Sequence, residues 1–114
     1  MGILSDVKDF LGVEKEFGFD AEILMNINSA IATLYQNGAC ETSYIISSDE
    51  DPEWEELIPQ NVIGHAKQFV YLQVRTMFDT STTASYVLEC MQKQAKECLW
   101  RIREELEGED YADG

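Results

Sequence analysis

From Ala84 to Leu106, the residues Ala84, Leu88, Met91, Ala95, Cys98, Leu99, Ile102 and Leu106 recur at about 100° per residue. A stripe this long on one side of a helix needs apolar cover along its whole run. It therefore commits the chain to packing helix on helix. The 114 residues include only 7 Gly and 2 Pro, too few for a many-turned β fold. Apolar residues make up 45% of the chain, which excludes a disordered one. The expected fold is all-α: a small bundle of about four helices in one domain, residues 1–114. It comprises a short N-terminal helix, two of middle length and a long C-terminal one.

The other segments read in the same way. Ile3, Leu4, Val7, Phe10 and Leu11 form a two-turn stripe over residues 3 to 11, with Gly12 as the stop. Two turns do not stand alone, so this helix must dock. A second helix is expected over residues 20 to 37, with Asp20 as its N-cap and Gly38 as its left-handed C-terminal residue. Ile23, Ile27, Ala30, Ile31 and Leu34 form its stripe. An acidic insertion, residues 39 to 58, breaks the pattern. There Thr42 to Ser48 suit a loop or a short extended piece. Asp51 is expected to cap a short helix with Pro52 at its first position. A third main helix is expected over residues 60 to 79. Val62, Ile63, Ala66, Phe69, Val70, Val74 and Met77 line one side, with Tyr71, Leu72 and Phe78 on another. Two apolar sides place it at the centre of the subunit or between subunits. The polar turn 79–84 opens the long helix, Glu97 and Arg101 support it as an i,i+4 pair, and Gly108 is expected to stop it before a frayed acidic tail, 108–114.

The charge balance, 22 Asp and Glu against 8 Lys and Arg, gives −14. A surface that negative repels phosphate, which argues against a protein that wraps DNA or lies on an anionic membrane. No apolar run approaches the length of a membrane span, and the N-terminus does not read as a signal peptide. Gly2 hints at myristoylation, but Asp6 stands where that pattern wants Ser or Thr.

No catalytic, cofactor or metal site is expected. His65 is the single histidine, and no signature sets it beside Cys90 or Cys98 as a nucleophile–base pair. Those three residues fit no zinc spacing. Asp49, Asp51 and Glu53 resemble a calcium loop, but Trp54 stands where Gly is required and Pro52 stiffens the segment. There is no P-loop and no GxGxxG. Cys40, Cys90 and Cys98 are expected as buried free thiols in a reducing compartment. On one helix, Cys90 and Cys98 lie about 12 Å apart along its axis, too far to bridge.

Aromatic placement says more. Tyr86, Lys93, Trp100 and Glu104 fall within about 40° of one another, nearly opposite the apolar stripe. Aromatics on an otherwise charged face are candidate interface anchors, unless Trp100 lies flat over the first helix. Trp54, set among glutamates, either tucks onto the core or docks on another protein.

The order of these segments resembles the small head–tail connector (adaptor) proteins of long-tailed double-stranded DNA phages, especially those of Gram-positive hosts. ILSDVKDFLGV is followed by FDAEILMNINSAIATLYQNG, an acidic insertion with a Trp, FVYLQVRTMFD, and SYVLECMQKQAKECLWRIREEL. The most specific stretches are Tyr71-Leu72-Gln73-Val74-Arg75 leading to Phe78-Asp79, and Glu97 to Leu106 around Trp100-Arg101. Thr80 to Thr83 replace the proline-containing turn usual in such chains.

The resemblance implies a structural part of the virion neck, not an enzyme. It implies a homo-oligomeric ring, typically twelve-fold, beneath the portal protein, with a stopper or tail-completion protein below. DNA then passes through the channel without specific binding, and assembly takes place in the host cytoplasm. Interface candidates are Trp54, Tyr71, Arg75, Phe78, Tyr86, Lys93, Trp100 and Glu104. Asp49, Asp51, Glu53 and Glu55 are candidates for the channel wall, where acid keeps DNA from sticking. Like charges oppose closure, so the free chain is expected as a monomer that closes on the portal. The competing reading is an acidic DNA mimic that inhibits a host DNA-binding protein.

Overall fold

The computed structural model describes residues 2–11, 20–40, 44–47, 50–78 and 85–113, apart from the side chains of Asp20, Phe78 and residues 108–113. Five helices follow in order: α1 (Ile3–Leu11), α2 (Asp20–Gln36), α3 (Trp54–Leu57), α4 (Ile63–Phe78) and α5 (Ser85–Asp113). No strand occurs among the described residues. The all-α bundle with a short first and a long last helix is therefore present. The expected turn at 79–84, which includes Ala84, the expected stop at Gly12, and Asp49 lie outside the described residues.

α4 is the hub, packing against α1, α2, α3 and α5. Ile63, Ala66, Phe69, Val70, Leu72 and Val74 are buried and Tyr71 is half-buried, whereas Met77, expected on the first apolar side, is 46% exposed. Of the two placements open for this helix, the structure shows the central one. From α2, Ile23, Ile27, Ala30, Ile31 and Leu34 are fully enclosed, as the periodicity requires. From α5, Ala95, Cys98 and Ile102 are buried, with Met91, Leu99 and Leu106 packed beside them.

Gly38 ends α2 with φ +85°. The Ala39 N–H donates to the Leu34 carbonyl at 2.9 Å and the Gly38 N–H to the Tyr35 carbonyl at 3.0 Å. These are the two bonds of a Schellman ending, which requires a left-handed residue at that position. The helix stop expected at Gly108 does not occur, because α5 runs on to Asp113. A single interior glycine costs a helix only about 1 kcal/mol, so without a left-handed turn it weakens the helix and does not end it.

The insertion is tied down by side chains instead of by strand pairing. Asn28 of α2 accepts from the Ile46 N–H at 2.8 Å and donates to the Ile46 carbonyl at 3.0 Å. One amide group thus satisfies both backbone groups of a buried residue, as a neighbouring strand would. Glu50 closes the loop, accepting from the Ser47 N–H at 2.8 Å and the Tyr44 hydroxyl at 3.0 Å.

Candidate functional site

Two surfaces carry the residues singled out in the sequence, and the structure treats them differently. The first is the corner where α1, α3 and α4 meet. Lys67, Tyr71 and Arg75 follow one another at i,i+4 on α4, so they share a face. Phe10 from α1 stacks on Tyr71, with ring centroids 4.6 Å apart and planes 10° apart. Trp54 from α3 meets Tyr71 edge-on at 5.8 Å and 88°. Cations close both ends, with Lys67 Nζ 5.7 Å from the Trp54 ring and the Arg75 guanidinium 5.8 Å from Phe10. Burial, with Asp6 and Asp9 adding negative charge nearby, pushes the Tyr71 hydroxyl above its usual pKa.

Trp54 is 1% exposed, and its indole N–H donates to the Asp6 carboxylate at 2.8 Å. Its place among the interface candidates is thereby corrected: the ring is enclosed by its own subunit and offers no face to another protein. Flanking glutamates point outward from a short helix while the indole reaches α1 and α4.

Asp51 is corrected in a similar way. It does not cap α3, which starts at Trp54 after Glu53 and is braced by the Glu56 carboxylate accepting from the Glu53 N–H at 2.6 Å. Asp51 instead accepts from the Leu4 N–H at 2.7 Å, the Ser5 N–H at 3.3 Å and the Ser5 hydroxyl at 2.6 Å. The Pro52 carbonyl takes the Ile3 N–H at 2.9 Å. The first free donors of α1 are thus met by a segment more than 40 residues away, with a carboxylate at the positive end of the helix. Gly2 lies so close beneath Asp51 that a Cβ there would overlap its carboxyl group. Asp51 nonetheless stays exposed. Glu53 and Glu55 are exposed.

The second surface is the outer face of α5. Trp100 is 52% exposed and Tyr86 72% exposed, with Lys93 and Glu104 exposed beside them. The alternative in which Trp100 lies flat over the first helix does not hold. Glu97 and Arg101 pair at 2.9 Å as expected.

A polar groove of about 350 Å³ between α4 and α5 is lined by His65, Gln68, Gln94, Glu97, Cys98 and Arg101. It brings together His65 and Cys98, but Cys90 is exposed elsewhere on α5, against the expectation of three buried thiols. Burial pushes the Cys98 thiol above its usual pKa, with Glu97 adding to the effect and Arg101 opposing it. That is the reverse of what activates a nucleophile. Among the described residues, no group of three or more His, Cys, Asp or Glu could hold a metal ion. No described helix is long and apolar enough to cross a membrane.

The sequence marks Phe10 only as part of the first helix's apolar stripe, and it gives no role to Asn28 or to the Asp6 carboxylate. Asn28 sits off the apolar stripe of α2, which marks it only as polar. Nothing local signals that it reaches Ile46.

A hub helix packed against four others, a capped N-terminal helix and an unpartnered aromatic face on the last helix describe a small all-α assembly component, with carboxylates and backbone donors serving architecture. A family model described as phage connector protein matches residues 3–109. The chain belongs to the phage connector protein family, and its role is that of a structural head–tail connector. No match was found among curated proteins or among solved structures.

Proposed function

We propose that this chain is one domain, residues 1–114, that forms a ring beneath the portal in the virion neck. The ring is twelve-fold on the virion, assembles in the host cytoplasm, receives the stopper or tail-completion protein below and extends the DNA channel. The observation that carries this reading is the outer face of α5. A half-exposed Trp100 and an exposed Tyr86 stand there on a helix whose other side is already packed. Large aromatics left open in this way are the residue types that anchor interfaces.

Tyr71 and Arg75 contribute differently. They hold α1 in place and present the exposed edge of the Phe10 stack, a second and smaller contact surface; Phe78, at the end of α4, is a further candidate. Asp51, Glu53 and Glu55, with Asp49 beside them in the chain, are the candidates for the channel wall, where their charge keeps the phosphate backbone from adhering. The DNA-mimic alternative is weakened because the Glu50, Asp51 and Glu56 carboxylates bond to the chain's own groups. They are not free to imitate a row of phosphates.

The deciding experiment mixes purified portal with this chain and follows co-sedimentation and the symmetry of the complex by electron microscopy. A ring seated on the portal is expected, and it is lost in a folded Y86A/W100A variant. Absence of any portal complex, or capture of a host nuclease or polymerase instead, would overturn the reading.

A further inference from the structure

The outer face of α5 carries a charge pattern with a two-fold centre at Trp100. Seven residues before it stands Lys93 and seven after it Glu107; four before, Lys96 and four after, Glu104; three before, Glu97 and three after, Arg103. Each position is matched by the opposite charge at the equivalent distance on the other side. All seven residues are exposed. At 100° per residue, Lys93, Lys96, Trp100, Glu104 and Glu107 fall within about 80° of one another, so they form one strip.

We propose that two free copies pair through this strip, antiparallel, with the two Trp100 rings at the two-fold axis. Reversing one helix against another about Trp100 sets Lys93 opposite Glu107 and Lys96 opposite Glu104, and symmetry makes each pair twice. Arg103 falls opposite Glu97, which also holds Arg101 of its own helix. Such a contact is isologous and closes on itself. A parallel arrangement sets lysine against lysine and glutamate against glutamate, which the pattern opposes.

Among the described residues, Lys93, Lys96 and Arg103 make no ion pair within their own subunit. Of the other described cations, Arg101 is paired with Glu97 on the same helix, Lys67 and Arg75 sit over aromatic rings and Lys8 is buried. The strip is thus where a chain of charge −14 keeps positive charge available. The monomer expected from net charge considers only long-range repulsion, which salt screens beyond about 8 Å. Contact pairs act within that distance. One helix crossing is a small interface, so the pair is weak and reversible and is displaced when the portal takes the same face. The inference rests on the reading of that face as a contact surface.

The test is the mass of the free protein by analytical ultracentrifugation up to about 0.5 mM, a range suited to weak interfaces. A monomer–dimer equilibrium is expected. K93E/K96E places four like-charge contacts in the crossing and should raise the dissociation constant at least about tenfold. Adding E104K/E107K to it should restore pairing to within about threefold, since only the direction of each pair changes. Helical content by circular dichroism confirms that each variant is folded. A wild type monomeric throughout, a dimer indifferent to K93E/K96E, or a reversal that the fourfold variant does not rescue would each overturn the pairing. A chain that stays monomeric yet joins the portal overturns the pairing alone. One that pairs but ignores the portal overturns the ring alone.

Discussion

The two tryptophans stand in similar company in the chain and meet opposite ends in the fold. Trp54 is flanked by Glu53, Glu55 and Glu56, and Trp100 by Arg101, Lys96 and Glu104 on its helix. Trp54 is enclosed by α1 and α4, bonded to Asp6 and packed on Tyr71. Trp100 is half open on a face that no other helix covers. Local charge therefore says little about the role of an aromatic. What decides is whether a distant element arrives to cover it.

Truncation separates the two most strongly. Trp54→Ala should cost about 3–5 kcal/mol, the range for removing a large ring from a packed site. Trp100→Ala should change monomer stability by no more than about 0.5 kcal/mol. Urea unfolding of both variants at low protein concentration measures this, and equal losses would break the contrast.

Next come the polar ties that hold the first region together. Asn28→Ala leaves both backbone groups of buried Ile46 without a partner and should cost about 2 kcal/mol. Asp51→Ala should cost about 1 kcal/mol by uncapping α1, whereas Asp51→Asn should keep much of the cap. Glu55→Gln, a change at an exposed acid in the same segment, should be neutral within about 0.5 kcal/mol. Amide exchange in α1 should quicken in Asp51→Ala and stay unchanged in Glu55→Gln. If both behave alike, Asp51 is no more than a surface acid.

The smallest effect is one of pH. Burial raises the pKa values of Cys40, Cys98 and Tyr71 above their ordinary ones. Above those ordinary values the unfolded chain releases protons that the folded chain still holds. Stability contributed by these groups is therefore full below about pH 8.5 and falls as pH rises, first through the thiols and then through the phenol. A Cys40→Ala/Cys98→Ala variant should show a shallower alkaline decline in urea titrations than the parent. An equal slope in both would assign the decline to other groups.

Much of the architecture was legible because helical periodicity is a local property. The stripes on α2, α4 and α5 are set by which residues recur three and four apart, and the described ones are buried or half-buried, Met77 excepted. Gly38 was legible for a similar reason, since a left-handed ending needs a residue without a Cβ. The strip on α5 was legible as an outward aromatic face, and its charge symmetry can be read from the order of residues alone.

Asp51 marks where this legibility ends. As a residue before Pro52 and a run of glutamates it has every local sign of capping the next helix, yet it caps α1. Asn28 and Asp6 have no local sign at all of the partners they meet 18 and 48 residues away. The chain by itself determined which segments coil, which side of each is apolar and where charge gathers, because neighbours along a helix interact over a few residues. The tertiary structure alone decided which donor each carboxylate satisfies and which tryptophan is covered. Those outcomes depend on docking helices across long stretches of chain, where the free energy comes from buried area and satisfied donors instead of from any local pattern.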